Sequence, residues 1–272
     1  MEIKARGYVF DVVEGGPADG TPVLLLHGFP QDAREFELLA PRLHAAGLRT
    51  YALNQRGYSP GARPTAVREY LLTEPAADAI AVLDALDIES AHVIGHDWGA
   101  QVGWLLAANH PGRVRTLTAV SVPHPRALRM ALRVRPSQRA RFAYMALFRS
   151  PIGERALLAG GGAMLRALLR PLGDRADLYV RSMRDEPGRL TGALNWYRAL
   201  AGEQLAGVGT VTVPTTYVWS DRDPVVGRLA ALRTGDWVDA DYQLVALRGV
   251  SHWVPEQAPT ALAEAALRRI QG

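Results

Sequence analysis

Residues Ala91 to Leu105, AHVIGHDWGAQVGWL, read as a short apolar strand, a turn bracketed by glycines, and a helix carrying Ala100, Val102, Trp104 and Leu105. The turn, Gly95-His96-Asp97-Trp98-Gly99-Ala100, has the small-x-nucleophile-x-small-small form of a nucleophile elbow. Small residues are needed on both sides because the central backbone is strained and strand and helix approach closely. The best-known version has Ser at the centre, whereas here the residue is Asp97. An isolated Asp in such a turn could also be a helix N-cap.

A chain of 272 residues can bury a large core, as one α/β domain or as a core with an inserted subdomain. Its 48% apolar and 21% charged content is that of a globular protein. With no cysteine there is no disulfide framework, no thiolate nucleophile and no thiolate metal site. No run approaches the ~20 apolar residues of a spanning helix, and the N-terminus lacks a signal-like apolar stretch. The expectation is a cytoplasmic protein without a transmembrane segment. Charge is uneven: Arg126 to Arg198 holds fifteen Arg against five acids, a local balance of +10, and the remainder carries −6. This is either a solvated helical face or a basic lid that attracts anions. Without a recognisable recognition motif, no nucleic-acid partner is expected.

Working outward from the elbow, Tyr8 to Val13 reads as an edge strand and Val23 to Leu26 as a buried parallel strand ending in His27-Gly28-Phe29-Pro30. A helix with Phe36, Leu38, Leu39 and Leu43 stops at Gly47, and Thr50 to Leu53 is the next strand. Pro75 to Leu86 is a helix, and Thr116 to Val122 a strand cut by Pro123-His124-Pro125. This alternation predicts a doubly wound, mostly parallel α/β sheet. Sites in such sheets lie at the carboxyl ends of strands, where His27, Asn54, Asp97 and Ser121 to His124 fall. After Pro125 only helical segments follow: Ser137 to Phe148, Glu154 to Leu169, Ala176 to Met183 and Leu190 to Ala201, with Gly160-Gly161-Gly162 as a helix break. Strands resume at Thr215 to Trp219 and Gln243 to Leu247, before a last helix, Thr260 to Ile270. Residues 1–124 and 208–272 are thus read as two parts of one core, and 125–207 as an inserted helical cap.

Taken in order, HGFP at His27, RGYS at Arg56, GHDWGA at Gly95, a helical insert, SDRDP at Ser220 and SHW at Ser251 resemble the epoxide hydrolase and haloalkane dehalogenase branch of the α/β-hydrolase superfamily. The resemblance covers the whole chain and implies Asp97 as nucleophile. A carboxylate is ionised at pH 7 and can attack an sp³ carbon without a base, leaving an alkyl ester. On a carboxylic ester it would have to form an anhydride, which argues against an esterase or lipase.

The same resemblance makes His252 the base that activates water and Asp223, just before Pro224, the acid that orients it. Asp221 is then a turn cap. It also implies an oxyanion hole from the backbone N–H groups of Phe29 and Trp98, with a cis Phe29-Pro30 bond in view. Of the other histidines, His44 and His92 are expected to be exposed and His110 to sit near a helix C-terminus. His27 is expected to be structural, and His96 to pack away from Asp97.

Epoxide opening makes an alkoxide that needs a donor, and Leu194-Asn195-Trp196-Tyr197-Arg198 resembles the epoxide hydrolase cap segment, so Tyr197 is the main candidate. A second tyrosine aligns on Leu147. Tyr144, one helical turn earlier, is a substitute, although packing is its favoured reading. His124 and Trp196 are further candidates for the pocket wall. Dehalogenases instead use ring N–H donors or an Asn; Trp98 offers one donor, but Phe29 stands where many have the Asn. Trp98 and Gln101 occupy the places of the haloacetate dehalogenase arginines, and Asn54 replaces the usual Asp, for which a structural effect is expected.

The reading is an epoxide hydrolase that takes an apolar epoxide and needs no cofactor or metal. A haloalkane dehalogenase and a non-catalytic ligand-binding protein are its alternatives, and a homodimer is left open.

Overall fold

The computed structural model describes residues 1–200 and 207–272. Its strands are β1 (Glu2–Ala5), β2 (Tyr8–Gly15), β3 (Thr21–Leu26), β4 (Leu48–Leu53), β5 (Ala91–His96), β6 (Val114–Val120), β7 (Thr215–Ser220) and β8 (Tyr242–Leu247). They form one sheet in the order β1-β2-β4-β3-β5-β6-β7-β8. β2 pairs antiparallel with both β1 and β4, and every later pairing is parallel.

Along β3 the residues alternate between two cores. Leu24 and Leu26 join Phe10, Val93, Trp104 and Tyr217 on one face, while Val23 and Leu25 join Ile94, Val120 and Val218 on the other. Both faces are covered, which is why the central strands are continuously apolar. Helices α1 (Ala40–Ala45), α2 (Thr73–Ala85) and α3 (Trp98–Asn109) supply part of that cover.

Two sequence expectations are corrected in the first half. The edge strand is β1, outside Tyr8–Gly15. In Glu2-Ile3-Lys4-Ala5 only Ala5 is buried, so it carries little apolar signal, and Arg6 and Gly7 at φ 50° and 80° fold it back onto β2. The helix expected through Phe36 and Leu43 is instead a 3₁₀ turn, Ala33–Phe36, followed by α1. Asp32 caps the turn by accepting the Arg34 N–H, and Pro41 suits only the first turn of a helix, so a new one begins there.

Between β6 and β7 the described residues run through α4 (Pro125–Val134), α5 (Pro136–Arg141), α6 (Tyr144–Arg149), α7 (Gly153–Leu168), α8 (Ala176–Asp185) and α9 (Arg189–Ala199). The single helix expected from Ser137 to Phe148 breaks at Phe142-Ala143. No Gly or Pro marks the break. It coincides with contacts distant in sequence: Arg141 donates to the Asp223 carbonyl, and Tyr144 packs on Tyr197. Gly160, Gly161 and Gly162 interrupt α7 where a break was expected, all at positive φ. Ala201, the predicted end of the last insert helix, lies outside the described residues. After β7 come α10 (Arg228–Leu232), α11 (Val254–Gln257) and α12 (Pro259–Gln271). No helix among the described residues is long and apolar enough to cross a membrane.

The RGYS segment fastens α9 to the sheet. Arg56 is buried and makes two 2.7 Å bonds to Asp78, and its carbonyl accepts the indole N–H of Trp196 at 2.9 Å. A Cβ on Gly57 would stand 2.8 Å from the Gly192 backbone, so the segment and α9 meet backbone to backbone.

The elbow is equally tight. A Cβ at Gly99 would lie 1.9 Å from the Leu26 carbonyl oxygen, and one at Gly95 would lie 2.2 Å from that of Gly99. Both neighbours are backbone and cannot swing aside. Gly99→Ala is expected to cost about 3 kcal/mol of stability, read as a lower urea midpoint with an unchanged slope.

Candidate active site

The apolar strand β5 delivers Asp97 to the sheet's carboxyl edge, where the residue adopts φ 51° and ψ −114° before α3 begins. A positive φ at a non-glycine residue is strained, and the Gly95 and Gly99 contacts hold it. Asp97 Oδ1 accepts the Phe29 N–H at 2.9 Å, and Oδ2 faces His252 Nε2 at 3.3 Å. His252 Nδ1–H donates to Asp223 Oδ2 at 2.8 Å. The other Asp223 oxygen accepts the N–H groups of Val225 and Val226 at 2.6 and 2.9 Å. Asp221 instead accepts the Gly249 N–H at 2.8 Å, which makes it a turn cap.

Three segments distant in sequence thus meet in one buried chain of hydrogen bonds. Burial alone would depress His252, but the carboxylates of Asp223 and then Asp97 outweigh it and push its pKa up to about 10. Burial would raise Asp97, but hydrogen bonding to His252 and its charge hold it below the usual carboxylate value. The two shifts thus favour an imidazolium beside a carboxylate.

Beside the Phe29 N–H, that of Trp98 is the first of α3 and has no acceptor within its own helix. The Phe29-Pro30 bond is cis.

A cavity of about 280 Å³ opens at Asp97, walled by Phe29, Leu147, Phe148, Leu157, Met164 and Trp253. A second lobe of about 40 Å³ runs past Trp98, Gln101 and Leu128. Asp97, Tyr144, Tyr197 and Val225 line both. The Tyr197 ring stands edge-on to Phe29, Trp98 and Phe148, with centroids 5.0 to 5.3 Å apart. Tyr144 lies 6.2 Å from Tyr197 by ring centroid. Burial pushes both phenols well above their ordinary value, so both remain O–H donors. Tyr144 is thus in the wall of the cavity rather than in the packing behind it, where its favoured reading had put it. The indole N–H of Trp98 is buried without a hydrogen bond of normal geometry.

Two candidates lie outside both lobes. His124 accepts the Arg126 N–H as the cap of α4, donates to the Gly209 carbonyl at 3.0 Å, and stacks against Trp237. The α4 N-terminus and these rings hold it away from Asp97. Trp196 spends its N–H on Arg56 and backs the Trp98 ring at 5.5 Å.

The remaining histidines divide. His92 is buried and bonded to Thr116 at 2.8 Å, and His44 is half-buried against Thr50, so neither is exposed as expected; each finds a hydroxyl on a neighbouring element. His110 is exposed at the C-cap of α3. His27 bridges Gln55 N–H and the Gly28 carbonyl, a structural role. Asn54 Oδ1 accepts the Ala33 N–H at 2.9 Å, which is the structural effect expected of it and one an Asp could equally supply.

Two groups were missed in the sequence. Arg141 lines the larger lobe and donates to the Asp223 carbonyl at 2.7 Å. Nothing distinguished it from the other five Arg between residues 126 and 141. Glu35 is fully buried and bonded to His96, although in the sequence it is one acid among the charged residues Asp32, Arg34 and Glu37 and belongs to no motif.

The model of the α/β hydrolase fold family matches residues 21–259. The chain is 31% identical to the AB hydrolase superfamily protein YfhM of Bacillus subtilis, covering 94% of this chain and 92% of that protein. It is likewise 31% identical to Epoxide hydrolase A of Mycobacterium tuberculosis, over 99% and 96%. The crystal structure of Epoxide Hydrolase A from Mycobacterium thermoresistibile superposes with a TM-score of 0.85 at 28% identity, covering 100% of this chain and 98% of that one. By elbow, sheet order, matched model and relatives, the chain belongs to the α/β-hydrolase fold family, in its epoxide hydrolase branch.

Proposed function

We propose that this protein hydrolyses an epoxide to a vicinal diol through an ester on Asp97. The observation that carries the reading is the buried chain Asp223, His252, Asp97, which faces two tyrosine hydroxyls across an apolar cavity. Asp97 Oδ2 attacks a ring carbon, since Oδ1 is held by the Phe29 N–H. The C–O bond breaks, and the alkoxide takes the proton of Tyr197, with Tyr144 bonded to the same site.

Alkylation removes the Asp97 charge, one of the two carboxylates that raise His252. Its pKa falls, the imidazolium gives up its proton, and the tyrosinate is neutralised. Neutral His252, oriented by Asp223, then takes a proton from water, which attacks the Asp97 carboxyl carbon. The negative charge collects on Oδ1, facing the N–H groups of Phe29 and Trp98. The Cγ–Oδ2 bond then breaks, the leaving diol oxygen takes the proton that His252 holds, and the Asp97 carboxyl passes its own proton to His252, which restores the starting pair. The chemistry requires no cofactor or metal.

The lining of Leu147, Phe148, Leu157, Met164 and Leu168 suits a predominantly apolar epoxide, and the insert 125–207 serves as the cap over the two core parts. The relatives named epoxide hydrolase support the same substrate class.

A single turnover in ¹⁸O-water should place label in Asp97 before it reaches the diol. Label entering the diol directly, with Asp97 unlabelled, would exclude the ester. Halide release from haloalkanes without epoxide turnover would favour a dehalogenase, for which Trp98 offers its unpartnered N–H. Binding of both ligand classes without turnover would indicate a non-catalytic receptor.

Tyr197→Phe is expected to lower kcat by about 10²-fold and Tyr144→Phe by about tenfold, because Tyr197 gives the proton and Tyr144 supports it. Stopped-flow alkylation rates check this order, and equal losses would instead make the two donors equivalent.

A further inference from the structure

Behind His252, away from the cavity, lies a second polar chain that the reaction does not use. His96 Nε2 is 2.9 Å from the His252 carbonyl, and His96 Nδ1 is 3.0 Å from Glu35 Oε2. All three residues are buried, Glu35 and His96 completely. The same carbonyl also accepts the Ser121 hydroxyl at 2.7 Å.

The proton positions follow from which groups can donate. A carbonyl only accepts, so His96 carries its hydrogen on Nε2. A neutral imidazole then accepts at Nδ1, and Glu35 is the group placed to donate there. Its other oxygen, Oε1, is buried without a partner, where a delocalised negative charge would be unsolvated. Among the described residues, the acids Glu256, Asp97 and Asp32 act on Glu35 most strongly, and His252 acts in the opposite sense. Glu256 is itself committed to Arg175, Tyr179 and Gln31. The charges of His252, Asp97 and Asp223 act on His96.

We infer that Glu35 is a neutral carboxylic acid whose O–H donates to His96, and that through this relay of two hydrogen bonds it is a positioning residue for His252. Burial and the neighbouring acids raise Glu35 well above its ordinary value, and burial lowers His96 to about 4, in keeping with a neutral pair.

The relay grips the backbone of the loop following β8, so its effect should fall on the step that needs His252 as a base. Ring opening by Asp97 should be much less sensitive. This step assignment rests on the reaction proposed above, whereas the protonation of Glu35 does not.

The test compares the wild type, Glu35→Gln, which keeps an N–H donor toward His96, and Glu35→Leu, which removes it at similar volume. The wild type should show the infrared carbonyl stretch of a buried carboxylic acid at neutral pH, absent in Glu35→Gln. Nitrogen NMR should find His96 as the Nε2–H tautomer in both. With an epoxide such as styrene oxide, kcat of Glu35→Gln should stay within about twofold of wild type. Glu35→Leu should lose about tenfold in kcat with KM little changed, and alkyl-enzyme should accumulate on acid quench.

Absence of the carboxylic acid band, or a doubly protonated His96, would overturn the inference. So would a Glu35→Leu variant with wild-type kcat and no added alkyl-enzyme, or a Glu35→Gln variant as impaired as Glu35→Leu. Should Glu35→Leu not fold, the spectra of the wild type and Glu35→Gln still decide the protonation. A wild type that turned over no epoxide would sink the proposed reaction alone, leaving the infrared and NMR results to judge Glu35.

Discussion

Asp97→Asn should lower epoxide turnover by about 10⁴-fold or more, the scale of losing the nucleophile in a covalent mechanism. The amide is nearly isosteric with the carboxylate, so the elbow and the Phe29 N–H contact to the side-chain oxygen remain available. What disappears is an anionic oxygen that can form a bond to an alkyl carbon. The imidazolium of His252 also loses a counter-ion and should titrate lower, since the Asp97 carboxylate is one of the groups that raise it. The measurement is a day-scale time course beside Asp97→Ala. Activity regained by the Asn variant alone, with matching mass change on the Asp97 peptide, would mean that the site hydrolyses its own amide. Undiminished initial turnover would dismiss Asp97 as nucleophile.

His252→Gln should separate the two half-reactions. Ring opening should continue, because Asp97 needs no base. Ester hydrolysis should fall by about 10³-fold or more for want of a group to take the proton of water. The visible result is one equivalent of epoxide consumed per enzyme, with a stable mass increase on Asp97.

pH adds a directional check. In the wild type His252 helps to hold Asp97 below the usual carboxylate value, so removing it should raise the Asp97 pKa. The carboxylate attacks only when ionised, so the alkylation rate of the variant should fail at a higher pH on acidification than that of the wild type. The acid limb of wild-type kcat should lie below the free-enzyme value of about 10, because esterified Asp97 no longer charges His252. A His252→Gln enzyme that released diol at the wild-type rate would remove His252 from the reaction.

Much of this arrangement was legible before any coordinates. Short apolar runs separated by turn residues predicted the central strands, because a buried parallel sheet admits few polar side chains. Gly95 and Gly99 marked the elbow, because nothing larger fits against the Leu26 and Gly99 carbonyls. The proline after Asp223 and the SHW motif at Ser251 singled out two further residues, which the fold then brought within hydrogen-bond reach of each other. Local rules did less well at Glu2–Ala5, whose residues show no apolar alternation, and at Phe142-Ala143, where no breaker residue stands.

The residues around Asp97 divide along the same line. By itself, the sequence determined the sheet, the elbow and the chemical identity of its carboxylate, because each depends on local spacing and on side-chain size. Tertiary structure alone decided that Tyr144 faces the cavity, that His124 and Trp196 do not, and that Glu35 stands behind His252. Those outcomes depend on how segments far apart in the chain pack, in one case more than 150 residues, and the energy of a buried polar side chain is set by the partner it meets there, which no local pattern encodes.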